Sequence, residues 1–168
     1  MLPIRKLVLV AVAASCLAVA GCTSNQDLLL AESGIKTNDP KFYPSDDHVR
    51  AGKAHFRNGD YGLASERYRK AVEIAPRDAD AWVGLAASYD RERQFALADK
   101  AYARAIQLVG VNTVILNNQG YSYLLRGDLR KARGKFLAAF EREPDNPYIK
   151  NNLELLNESE KSIKRVRS

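Results

Sequence analysis

Reactive and metal-ligating side chains are scarce in this chain of 168 residues, which has two cysteines, two histidines, one tryptophan and one methionine. Both cysteines, Cys16 and Cys22, fall near the N-terminus, so the body has no disulfide framework and no cysteine metal site. His48 and His55 stand seven residues apart, close to Asp46, Asp47 and Lys53. Metal or catalytic use normally wants a third convergent ligand, and the pair is better explained as packing residues with a polar edge. Glycine-rich phosphate loops, zinc-protease histidine pairs and serine nucleophile elbows are all absent. These absences point away from an enzyme, and no cofactor, metal or catalytic residue is expected. Long hydrophobic runs are missing too: Leu7 to Ala20 is interrupted by Ser15 and Cys16 and is shorter than the roughly 20 residues of a spanning helix.

That short apolar run has another use. Arg5 and Lys6 precede it and small residues close it, which is the layout of an export signal covering 1–21. Val19-Ala20-Gly21-Cys22 resembles a bacterial lipobox, so Cys22 is the expected lipidation site. Several acyl chains on one residue would make a durable anchor where a single chain would not. Thr23 does not form the aspartate signal that retains lipoproteins at the inner membrane, so the expected location is the outer membrane, with the repeats facing the periplasm. Residues 22–44, rich in Ser, Asn, Thr and Asp around Leu28-Leu29-Leu30, read as a lipidated tether reaching roughly 25 Å as a flexible coil.

Lys and Arg number 26 against 20 Asp and Glu, a net charge of +6. The signal holds two of the basic residues and no acidic one, so removing it leaves 24 against 20, or +4. Part of the excess lies in 161–168, where Lys161, Lys164, Arg165 and Arg167 read as a solvated basic tail. A short basic run is nonspecific, and no nucleic-acid partner is expected.

The body is periodic. Trp82-x2-Leu85-Ala86-x2-Tyr89, followed by Ala98-x3-Tyr102, recurs 34 residues later as Leu116-x2-Gln119-Gly120-x2-Tyr123, Ala132-x3-Phe136 and Pro144. It recurs 34 residues earlier as His48-x2-Ala51-Gly52-x2-His55, Ala64-x3-Tyr68 and Pro76. An ungapped period of this length, with small and aromatic residues at fixed phases, resembles tetratricopeptide (TPR) helix pairs. The expected fold is all-α: a superhelix of three helix-turn-helix repeats (45–78, 79–112, 113–146) and a capping helix over 147–160. Ala64, Ala98 and Ala132 mark close helix approaches, and Tyr68, Tyr102 and Phe136 fill the adjoining space. Asn58-Gly59-Asp60 and Arg126-Gly127-Asp128 provide glycine for the inter-helix turn, whereas the middle repeat has Glu92-Arg93-Gln94, a strained or different turn. Ile149, Leu153 and Leu156 form one face that can close the last repeat.

In stacked TPR pairs the first helices face the groove, so residues 34 apart form columns along it. Arg50, Gly84, Asn118 and Asn152 make one column, Val49, Val83, Asn117 and Asn151 its neighbour, and Lys53, Ala87, Tyr121 and Leu155 a third. With Arg57 and Arg91 added, the groove starts basic, narrows to small residues and ends in four asparagines and Tyr121. Asparagine amides donate and accept, and a tyrosine is an aromatic anchor with a polar tip, so the surface suits a peptide segment.

The stretch LNNQGYSYLLRGDLRKARGKFLAAFEREPDNPYIKNNLELL, Leu116 to Leu156, resembles the TadD-like TPR lipoproteins of tight-adherence (Flp) pilus assembly. The lipobox at Cys22, the few repeats and the terminal Asn-Asn-Leu helix agree with that family, while the two histidines of the first repeat depart from it. The resemblance implies a noncatalytic outer-membrane assembly factor that helps the secretin channel localise or assemble. The alternative is a lipoprotein that recruits or regulates a cell-wall synthase or hydrolase.

Overall fold

A computed structural model describes residues 45–167 of the chain. The expected signal peptide, lipidation site Cys22 and tether lie outside the described residues. Those that are described form seven helices and no strand: α1 (Asp46–Asn58), α2 (Tyr61–Ile74), α3 (Ala79–Arg91), α4 (Phe95–Val109), α5 (Thr113–Leu125), α6 (Leu129–Arg142) and α7 (Pro147–Arg167).

The chain turns from first to second helix in the same way three times. The N–H groups of Asp60, Gln94 and Asp128 bond to the carbonyls of His55, Tyr89 and Tyr123, and the residue before each donor is left-handed. Gly59 and Gly127 take that conformation at φ +87° and +80° without steric penalty. Arg93 takes it at φ +61°, so of the two expectations for the middle turn, strained or of a different type, it is the same turn with a left-handed side-chain residue in it. Each following pair opens on a side-chain cap: Asp78 accepts from Ala81 N–H at 3.0 Å, and Asn112 accepts from Ile115 N–H at 2.9 Å. Pro147 is the first residue of α7, where its missing N–H removes no helical bond.

The small phases are where helices meet. Ala64, Ala98 and Ala132 have no exposed surface, and Tyr68, Tyr102 and Phe136 beside them are buried. One apolar cluster runs from Val49 through Tyr68, Leu85 and Tyr102 to Ile115. Two smaller clusters join the third pair to α7 through Ile149 and Leu156, which are fully buried. Each such side chain contributes about 1.5–3 kcal/mol by leaving water. Arg133 on α6 adds a polar clasp, with Nη2 2.7 Å from Glu160 and 2.9 Å from Asn157 of α7.

α7 is longer than expected. The helix continues through the basic stretch to Arg167, past the end near Glu160 that the composition suggested. Nothing between Lys161 and Arg167 stops it, because the segment contains neither proline nor glycine and is rich in helix-forming Lys and Arg. Among the described residues, no helix is long and apolar enough to cross a membrane.

Candidate functional site

Two adjoining depressions cross the first helices of the pairs. The first, of about 320 Å³, lies between Lys53 and Phe56 of α1, Asp80, Val83, Gly84 and Ala87 of α3, and Val114 and Asn118 of α5. Its floor is the ring of Tyr68, which comes from α2 but reaches the groove because Gly84 has no side chain. A Cβ on Gly84 would sit 2.3 Å from that ring, and one on Gly52 would meet its other side at 3.0 Å. Burial pushes the Tyr68 phenol up to about 12, with Arg57 lowering it and Asp80 raising it. The second depression, of about 310 Å³, is lined by Asn117 and Asn118 of α5 and Asn151 and Asn152 of α7, beside Val114 and Tyr148. Val114 and Asn118 belong to both.

The asparagines therefore come together as their columns suggested. Asn152 Nδ2 donates to Asn117 Oδ1 at 2.9 Å across the α5–α7 contact. Lys53, in the first depression, is exposed. The remaining cations are elsewhere. Arg50 pairs with Asp47 on its own helix, Arg91 lies 4.2 Å above the Tyr61 ring, and Arg57 lines neither depression. Tyr121 is half-buried against the cluster of Ala132, Phe136 and Leu156, so it also lies outside both. Val49 is a core residue. Sequence reasoning left out Tyr68, Val114 and Tyr148. The signal for the last two was a further column one phase along, Asp80, Val114, Tyr148, whose apolar members are largely exposed.

A different group occupies the junction of the second and third pairs. Asp90 of α3 is buried, yet its phase carries Phe56 and Leu124 in the sister repeats. Its Oδ2 accepts from the Tyr102 hydroxyl at 3.0 Å and its Oδ1 from Ser122 Oγ at 2.6 Å. Arg126 Nη2 is 3.7 Å from the same Oδ1, and Arg126 also forks onto Asp99 at 2.6 and 2.9 Å. Burial pushes the Asp90 carboxyl up, while Ser122, Tyr102 and Arg126 lower it and Asp99 raises it. These residues bond to one another across helices, and of them only Asp99 is exposed, so the group reads as an interface clasp. His55 Nδ1 stands 3.6 Å from Asp60, and among the described residues no three His, Cys, Asp or Glu side chains are arranged to hold a metal.

Residues 52–91 match the TPR repeat family, and the helix pairs and groove agree with it. The described residues have the tetratricopeptide-repeat fold. This TPR chain is 30% identical over 102 residues to the type IV pilus assembly protein PilF of Pseudomonas aeruginosa, covering 61% of the chain and 39% of PilF. It is 29% identical over 108 residues to mouse (Mus musculus) RNA polymerase II-associated protein 3, covering 64% of the chain and 16% of that protein. The TPR chain thus spans well under half the length of these curated relatives. A solved structure of Pseudomonas aeruginosa PilF superposes with a TM-score of 0.58 at 28% identity, over 70% of this chain and 54% of that one. The first TPR domain of Spaghetti (RPAP3), bound to the HSP90 peptide SRMEEVD, gives a TM-score of 0.58 at 23% identity, over 68% and 91%. At that identity the second likeness shows the fold alone.

Proposed function

We propose that the chain is a noncatalytic TPR scaffold of pilus assembly that grips a peptide segment of its partner in the groove across α1, α3, α5 and α7. The observation that carries this reading is the continuity of the two depressions through Val114 and Asn118, in a chain similar to a pilus assembly protein. The TPR domain of Spaghetti, which shares the fold, is bound to an HSP90 peptide, and a peptide is the kind of ligand proposed here. In the finer form of the proposal the pilus is of the tight-adherence (Flp) type, the partner is its secretin, and the protein is held at the outer membrane by lipid on Cys22. The lipobox and the Leu116–Leu156 stretch support that form.

Photocrosslinking in cells from position 114, with Leu97 on α4 as the outward control, tests the partner. Capture of the secretin from position 114 alone is expected; capture of a cell-wall synthase or hydrolase would replace the assembly role with recruitment of that enzyme. Fractionation tests the anchor: the native chain should follow the outer membrane and Cys22→Ser should leave it. Recovery of the native chain wholly in the inner membrane would overturn the location.

A further inference from the structure

The groove's charge distribution says what kind of segment it holds. Four asparagines, Val114 and Tyr148 present no formal charge at neutral pH in the second depression, and in the first Lys53 is balanced by Asp80. This neutrality stands out in a chain of net charge +6. The three arginines expected to make the groove basic lie outside both depressions, Arg50 held by Asp47 and Arg91 over Tyr61. Recognising an acidic segment or a terminal carboxylate relies on charge-assisted donors, and the two depressions together hold one cation, Lys53, in the same lining as the carboxylate of Asp80.

What the floor does offer matches a peptide backbone. With Asn152 Nδ2 committed to Asn117 Oδ1, the Asn117 NH2 and the Asn152 carbonyl remain as a donor and an acceptor. Asn118 and Asn151 line the same depression, so further donors and acceptors adjoin that pair. Next to them is an apolar floor where the edge of the largely buried Tyr68 ring meets the depression beside Gly84, with Phe56, Val83 and Ala87 around it. Val114 is 59% exposed and Tyr148 76%, so apolar surface continues into the amide-lined half. An extended chain turns successive side chains to opposite sides at about 3.3 Å per residue, which lets one side chain drop into the apolar half while the backbone crosses the amides.

We propose that the groove binds an uncharged, extended segment of a protein partner, placing one apolar side chain on the Tyr68–Gly84 floor and its backbone against Asn117, Asn118, Asn151 and Asn152. This rests on the peptide-binding reading above and narrows its ligand class.

A phage-displayed library of random dodecapeptides, panned on the purified full-length chain, tests both levels. Enriched sequences should carry an apolar residue flanked by uncharged ones. The best of them, synthesised with both ends capped, should bind at least about tenfold more weakly to Asn118→Asp/Asn151→Asp and to Ala87→Arg, variants checked for unchanged thermal unfolding. The aspartates keep the amide shape and remove its donors, and the arginine fills the apolar half. Enrichment of acidic sequences competing for the groove would overturn this inference and leave peptide binding standing. Enriched peptides indifferent to both variants would place the site elsewhere and overturn the inference. No enrichment at all would remove the peptide-binding reading with it.

Discussion

Tyr68 and Tyr102 hold the same phase in consecutive repeats and are both buried between helix pairs, but one lines the groove and the other is tied into a polar clasp. The ring of Tyr102 is covered and its hydroxyl donates to the buried Asp90 carboxylate. Tyr68 lies between Gly52 and Gly84 and forms the floor of the groove. The difference comes from what the neighbouring first helices provide: glycine at 84, where the third repeat has Asn118, and a carboxylate at 90, where the sister repeats have Phe56 and Leu124. One scaffold position thus floors a groove at the first junction and joins a buried clasp at the second. The period sets the ring; the residue facing its tip decides the role.

The clasp side of the comparison should break with the largest effect. Arg126→Met leaves Asp90 buried with only neutral donors, and a stranded buried charge typically costs about 3–5 kcal/mol at neutral pH. The sign of its pH dependence follows from the raised Asp90 carboxyl. A group of this kind supports folding most below its unfolded pKa, and the support is lost as pH rises through the folded one. Removing the arginine raises the carboxyl further, so the deficit of the variant, read by chemical denaturation, should shrink from pH 7 toward about pH 4. A deficit that grows on acidification would contradict the clasp.

The groove side breaks next. Gly84→Ala places a Cβ 2.3 Å from the buried Tyr68 ring, and overpacking of this kind costs about 1–3 kcal/mol. Thermal unfolding equal to wild type would mean the ring is free to leave the groove floor.

Paired hydroxyl deletions sharpen the contrast directly. Tyr102→Phe strips Asp90 Oδ2 of its donor and should cost about 1–3 kcal/mol, whereas Tyr68→Phe should fall within about 0.5 kcal/mol of wild type. Equal effects in urea titrations would erase the distinction between the two tyrosines. A small change of opposite sign concerns the turn: in the same titrations Arg93→Gly should stabilise by roughly 0.5–1 kcal/mol, because Arg93 holds the left-handed position that Gly59 and Gly127 occupy in the sister repeats.

Much of this architecture is legible in the amino-acid sequence. The 34-residue period places the alanines and aromatics at helix contacts, the glycines at two turns, and the four asparagines in one column set. The strained middle turn is visible as Arg93 in a glycine phase. The end of α7 is not, because the absence of a breaker is a weaker signal than its presence. Tyr121 reads as a groove anchor by column alone; whether a column residue faces the groove or the next helix depends on packing against Phe136 and Leu156, which a one-dimensional phase does not carry. Columns place the arginines poorly for a related reason, since a long side chain near a groove pairs with whatever lies close, and for Arg50 and Arg91 that is Asp47 and Tyr61. The clasp needs Asp90 and Ser122, 32 residues apart, to be brought together. Its hint is a carboxylate in an apolar phase.

Amide-resolved NMR of the uniformly labelled chain, titrated with the best capped library peptide, tests the central claim most directly. The account predicts shifts concentrated on α1, α3, α5 and the first turns of α7, with maxima around Gly84, Val114 and Asn118, and with α2, α4 and α6 quiet apart from Tyr68. Shifts centred on the outward faces of α2, α4 and α6, with Gly84 and Asn118 unmoved, would contradict it.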